Sequence, residues 1–151
     1  MYISNFKVLY INLKQDLQKK KKIVNDLEKL GLSYKRIDAV YGKLLKDIKY
    51  RTLISSKLGI SSNKLHPNYW TNRSNFKTMT RYKDSILAKV GCFLSHIIAI
   101  KFALENNYKS VLILEDDVKF LNNILNKFTI PVDADIFYLG GSFFHQKEKL
   151  E

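Results

Sequence analysis

The order strand, helix, strand within residues 6–40 narrows the fold more than any other feature of this chain. Residues 6–13 (FKVLYINL) form an apolar run rich in β-formers, and residues 34–40 (YKRIDAV) form a second. Between them Leu17, Val24, Leu27 and Leu30 recur at helical spacing, and the lysines at 19–22 fall largely on the opposite face. Asp16 stands at a helix-capping position and Gly31 at a stop. A strand, a helix and a second strand this close together make a βαβ unit, which requires a parallel sheet and a right-handed crossover.

Later segments extend the pattern. Residues 89–106 (KVGCFLSHIIAIKFALEN) read as a helix with Phe93, Ile97, Ile100 and Leu104 on one face. Residues 110–114 (SVLIL) read as a third buried strand, 123–128 as a helix, and 135–139 (DIFYL) as a fourth strand followed by Gly140 and Gly141. Residues 43–84 are expected to form a long loop with short helical turns, including an amphipathic piece at 48–58. The order predicts an α/β sandwich with a mostly parallel sheet flanked by helices. Its 151 residues suit one domain, taken as residues 1–149, with 150–151 set aside as a cloning remnant.

The third strand runs straight into Glu115, Asp116 and Asp117. In open α/β sheets ligands bind beyond the carboxyl ends of the strands. Adjacent carboxylates repel one another there, and a divalent cation relieves the repulsion. Hard oxygen donors suit Mg²⁺ or Mn²⁺, above all when substrate phosphates complete the shell. On spacing alone, a solvated turn or a helix cap accounts for the acids equally well.

Five stretches together resemble glycosyltransferase family 25, the lipopolysaccharide-type and collagen-type galactosyltransferases: VLYINL, RIDAVYG, VGCFLSH, LILEDDV and DADIFYLGG. The resemblance spans almost the whole chain. It implies a GT-A-like, Rossmann-related fold, a UDP-sugar donor (UDP-galactose or UDP-glucose), Mn²⁺ or Mg²⁺ as cofactor, and transfer of a hexose, often galactose. The acceptor would be a glycan, a lipid-linked glycan or a protein. It places Asn12, Ala39, Gly42, Ser95, His96, Glu115 and Asp116 at the donor, with Asp117 and Glu115 on the metal. Lys14, Gln15, Lys19 and Lys20 stand where the family carries Asp-Arg and further arginines, and Tyr41 stands where it carries Asp. Family members continue past the Leu-Gly strand, so a second chain or a second copy completing the fold is an expected partner. No catalytic general base stands out.

Charge and composition bound the rest. The formal net charge of +12 favours polyanions, including an anionic membrane surface touched peripherally. The lysines are spread along the chain without a basic stripe interleaved with aromatics, which argues against nucleic acid. Lys, Asn and Ile are all abundant, a bias that an AT-rich coding sequence produces without any function. A single cysteine, Cys92, excludes an internal disulfide and reads as a small core residue. His66, His96 and His145 show no metal-ligand spacing among themselves, so no zinc site is expected. No segment approaches about 20 uninterrupted apolar residues, so no membrane span is expected, and the absence of a signal pattern leads us to expect a cytoplasmic protein. Trp70, Tyr69 and Phe76 either stack on a sugar or base or pin down their own segment. Arg73 and Arg81 lie nearby. The competing function is a catalytically incomplete, glycosyltransferase-like binding or interaction module.

Overall fold

A computed structural model of the chain describes residues 6–71, 80–120, 131 and 134–139. Three strands, β1 (Lys7–Asn12), β2 (Tyr34–Asp38) and β3 (Val111–Glu115), form one parallel sheet in the order β2-β1-β3. Asn12 pairs with Asp38, and Ile11 with Glu115, so the three carboxyl ends lie level at one edge. The central strand β1 is buried on both faces, which is why its sequence is continuously apolar rather than alternating.

Helices cover the two faces separately. The helix α1 (Leu17–Lys29) packs Ile23 and Leu27 on Val8, Tyr10 and Leu114. The helix α4 (Thr80–Glu105) packs Ala99 and Ala103 on Leu9, Ile11 and Ile37 on the opposite face. Between β2 and α4 the chain forms a 3-10 turn (Gly42–Lys46), α2 (Ile48–Leu58), a second 3-10 turn (Ser62–Leu65) and α3 (Pro67–Thr71). With α4, these elements bury a second apolar cluster of Val40, Leu45, Ile54, Leu65, Val90 and Leu94. The result is a Rossmann-like α/β arrangement. The chain leaves β1 for β2 on one side and returns to β3 on the other.

Several expectations are corrected. The stretch expected to be a long loop is largely helical where it is described, because Leu45, Ile54 and Leu65 each turn inward and stack against α4. Within α1 the buried residues are Ile23 and Leu27, while Leu17 is exposed. Asp16 holds the capping position without a side-chain cap. The helix of residues 89–106 begins at Thr80, and the face holding Phe93, Ile97, Ile100 and Leu104 points outward, 38–71% exposed. The inward ridge is instead Gly91, Ser95, Ala99 and Ala103, small residues four apart that allow the helix to approach closely. Residues 135–139 join no ladder, and Ile136, Phe137 and Tyr138 are exposed, so the fourth strand is not formed. The helix expected at 123–128, Gly140, Gly141, His145, Arg73 and Phe76 lie outside the described residues, as does the side chain of Arg81. By length and composition, Ser85–Glu105 is apolar enough to cross a membrane, contrary to the sequence expectation. Its inward ridge nevertheless packs on the sheet, as the core helix of an α/β domain does.

Two glycines set how closely α4 sits. A Cβ on Gly42 would fall 1.7 Å from the Leu87 carbonyl oxygen, and one on Gly91 would fall 2.5 Å from that of Val40. Gly31 has open space but holds φ at +65°, the left-handed conformation that ends α1. Gly31→Ala should therefore cost about 1–2 kcal/mol through backbone strain alone. Gly42→Ala must push two backbones apart and should cost about 3 kcal/mol or more. Urea melts of the two variants measure the difference, and equal losses would contradict the close packing of α4.

Candidate functional site

The carboxyl ends of the strands open into a cleft of about 220 Å³, at the crevice where the chain order reverses between β1 and β3. Asn12, Asp16 and Lys19 line one wall, Ala39, Tyr41, Gly42 and Lys43 a second, Cys92 and Ser95 a third, and Glu115, Asp116 and Asp117 a fourth. Seven of the eight residues singled out from sequence thus meet at one place. The eighth, His96, reaches the same wall through Glu115.

The pleat divides the three acids. Side chains alternate along a strand, so Glu115 follows Val111 and Ile113 toward α4 while Asp116 follows Leu112 and Leu114 toward α1. On the α4 side, Glu115 Oε1 lies 3.1 Å from His96 Nε2 and accepts a long hydrogen bond from Cys92 Sγ at 3.5 Å. On the α1 side, Asp116 Oδ2 accepts from Asn12 Nδ2 at 2.7 Å, and its Oδ1 lies 3.4 Å from the Lys19 ammonium. Asp117 lines the cleft, is exposed, and accepts no hydrogen bond from the described residues.

Asn12 is 1% exposed and fully used. Its amide nitrogen donates to Asp116 and to the Asp16 carbonyl at 3.1 Å, and its Oδ1 accepts from Arg36 Nε at 3.1 Å. Arg36 is itself paired with Asp38 at 3.0 Å. Asn12 therefore positions the site and keeps no donor in hand for a ligand. Ser95 is equally committed. It accepts from the Val40 N–H at 2.8 Å and donates to the Gly91 carbonyl at 2.6 Å, clamping α4 to the end of β2. Gly42 faces the cleft, and its missing side chain makes room for α4. Trp70 packs in the α2–α4 cluster and meets Tyr69 edge-on at 5.4 Å, so it pins its own segment. His66 Nδ1 accepts from the Asn68 N–H at 3.2 Å, a local turn contact.

Charge follows this layout. The nearby Asp116 carboxylate, ahead of all other causes, holds the Lys19 ammonium above its ordinary pKa. A raised lysine pKa stabilises the fold below the usual lysine range and loses that contribution only as pH climbs through the raised value, so this pair is constant across neutral pH. Burial first, and the negative charge of Glu115 second, push the Cys92 thiol up. With no cation beside it, a thiol raised in this way stays protonated at neutral pH, the opposite of an activated nucleophile.

The family model described as glycosyltransferase family 25 (LPS biosynthesis protein) matches residues 5–148. The chain belongs to glycosyltransferase family 25. It is 33% identical over 141 residues to procollagen galactosyltransferase 1-A of Xenopus laevis, covering 88% of this chain and 21% of that protein. A glycosyltransferase 25 family member of Aedes aegypti is 31% identical over 113 residues, 75% of this chain and 16% of its own length. A protein of Bos taurus described as probable inactive glycosyltransferase 25 family member 3 is 28% identical over 150 residues, 94% of this chain and 23% of its own. The chain spans about a fifth of the length of these curated relatives. No solved structure matches it.

For this family 25 chain the sequence singled out Asn12, Glu115, Asp116 and Asp117 but missed Lys19, Arg36 and Cys92 as members of the site. Cys92 and His96 stand four apart on a helix, and that spacing was the available signal. Asn12→Ala leaves Asp116 and Arg36 without their buried partner and should lower stability by about 1–3 kcal/mol. Lys19→Met removes only a half-open ion pair and should cost less than about 1 kcal/mol. Chemical denaturation ranks the two, and the reverse order would remove Asn12 from the centre of the site.

Proposed function

We propose that this chain is the donor-binding part of a metal-dependent glycosyltransferase that transfers a hexose, galactose in the favoured reading, from a UDP-sugar to a glycan, lipid-linked or protein acceptor. The observation that carries the reading is the Asp117 carboxylate, unbonded among the described residues, in a cleft at the switch point of a parallel sheet, beside Glu115 and across from Lys19. The similarity to procollagen galactosyltransferases supports the choice of galactose.

The donor set fits Mn²⁺ or Mg²⁺. Asp116 is occupied by Asn12 and Lys19, but Asp117 and a Glu115 oxygen offer the one or two carboxylates that such ions take alongside substrate phosphates. When bound, the cation neutralises charge on the diphosphate as the sugar leaves. The chain's own residues do the remainder. Lys19 supplies a positive charge at the cleft wall, Ala39 and the backbone at Gly42 shape the side facing the nucleoside, and Asn12 holds the acidic turn at a fixed height. The cytoplasm, with an acceptor at the inner membrane face, belongs to the same proposal.

A thermal-shift titration with UDP, with and without Mn²⁺, tests it. At a hundredfold excess over Kd a native-state ligand adds about 2.7 kcal/mol. For a chain of this size that raises Tm by roughly 5–10 °C. The shift should require Mn²⁺ and should disappear in Asp117→Ala. Equal UDP affinity with and without metal would sink the mechanism.

A second reading, a catalytically incomplete interaction module, draws on the exposed Phe93, Ile97, Ile100 and Leu104 face and on the relative described as probably inactive. It expects association on a sizing column. A monomer that turns over a UDP-sugar would exclude it.

A further inference from the structure

Cys92, His96 and Glu115 bring a thiol, an imidazole and a carboxylate to one point, with no two of their donor atoms more than 4.8 Å apart. We propose that these three residues form a binding site for a borderline divalent cation of the Zn²⁺ class, one that shares the Glu115 carboxylate with the oxygen-only site at Asp117 but takes its other ligands from α4.

Three observations carry this. First, the donor set is mixed. Sulfur and imidazole nitrogen select Zn²⁺ and its neighbours, whereas Mg²⁺ and Mn²⁺ prefer oxygen alone. Second, two of the three donor separations, those from Glu115, are close to what such an ion imposes, and the Cys92–His96 pair lies within 4.8 Å. Bonds of about 2.3 Å to sulfur and 2.0–2.2 Å to nitrogen and oxygen in a tetrahedron separate the donors by roughly 3.3–3.6 Å. Glu115 Oε1 already lies 3.1 Å from His96 Nε2 and 3.5 Å from Cys92 Sγ.

Third, all three ligands stand on regular elements. Cys92 and His96 are one turn apart on the same face of α4, and Glu115 is the last residue of β3. Strand pleating aims Glu115 at that helix, so the site is held before any ion arrives. Three protein ligands leave a fourth position. Cys92 and Glu115 both line the cleft, so that position opens into it and takes water or an anionic oxygen. The site needs neither nucleotide nor sugar, and its test is independent of the transferase reading.

The test is a Co²⁺ titration of the chelator-treated, reduced protein, followed by displacement with Zn²⁺. One equivalent of Co²⁺ should produce a thiolate-to-cobalt charge-transfer band, and one equivalent of Zn²⁺ should remove it. Cys92→Ser should abolish the band, and the exposure of Cys92 leaves the core untouched by that change. His96→Ala should keep the fold, checked by circular dichroism, and weaken Co²⁺ binding roughly tenfold or more. Asp117→Asn should leave the band unchanged, which separates this site from the carboxylate site. The absence of a band at one equivalent, its survival in Cys92→Ser, or its loss in Asp117→Asn would each overturn the proposal.

Discussion

The site depends on where a single buried amide finds its partners. Asn12 ends the central strand, out of reach of water, and a buried amide without hydrogen bonds costs about 1–3 kcal/mol. Its partners come from three directions: Asp16 at the start of α1, Arg36 in β2 and Asp116 just after β3. One side chain therefore ties together the carboxyl ends of all three strands, and the acidic turn cannot shift without breaking it. The positive charge in this network belongs to Arg36 and Lys19, which offset the carboxylates of Asp38 and Asp116. Of the three acids after β3, Asp116 is consequently spoken for and Glu115 turned aside, while Asp117 faces the cleft without a hydrogen bond from the described residues.

The other half of the cleft rests on how closely α4 approaches. Gly42 and Gly91 let two backbones come together where any side chain would collide. Ser95 then closes the contact by bonding to Val40 and to its own helix. The same approach brings Cys92 and His96 within reach of Glu115. Cleft wall and mixed-donor cluster are two results of one packing event.

Much of this was legible in the sequence. The βαβ start, the third strand and the acidic turn follow from apolar runs and Gly punctuation, and all appear. The error over α4 has a physical cause. Large apolar residues mark the buried face of a helix only when space remains to fill, and here the sheet and residues 40–42 lie too close. Burial went to Gly91, Ser95, Ala99 and Ala103, while Phe93, Ile97, Ile100 and Leu104 were left outside, uncovered by the described residues. Likewise Leu17 matched the helical period, yet it sits in the first turn of α1, beyond the reach of the sheet. The strand expected at 135–139 has the right composition, but composition does not supply the neighbour that a strand must pair with. Asn12 was read as a contact to a ligand because a polar residue ending a buried strand at the ligand-binding edge looks the same from sequence whether it faces a ligand or the fold.

The division of the three acids explains why a strongly basic chain concentrates negative charge at this turn. Three adjacent carboxylates free in one cleft would repel one another and gather counterions without selectivity. The pleat removes that degeneracy. Asp116 turns to α1 and becomes structural, Glu115 turns to α4 and meets sulfur and nitrogen, and Asp117 stays in the cleft with oxygen chemistry alone. Glu115 alone stands at the boundary between the two kinds of site. An ion held by Cys92, His96 and Glu115 withdraws that carboxylate from any cation at Asp117, which must then draw its remaining ligands from water and phosphate. Soft and hard cations would therefore compete here through one shared oxygen donor, even though their other ligands lie on different elements.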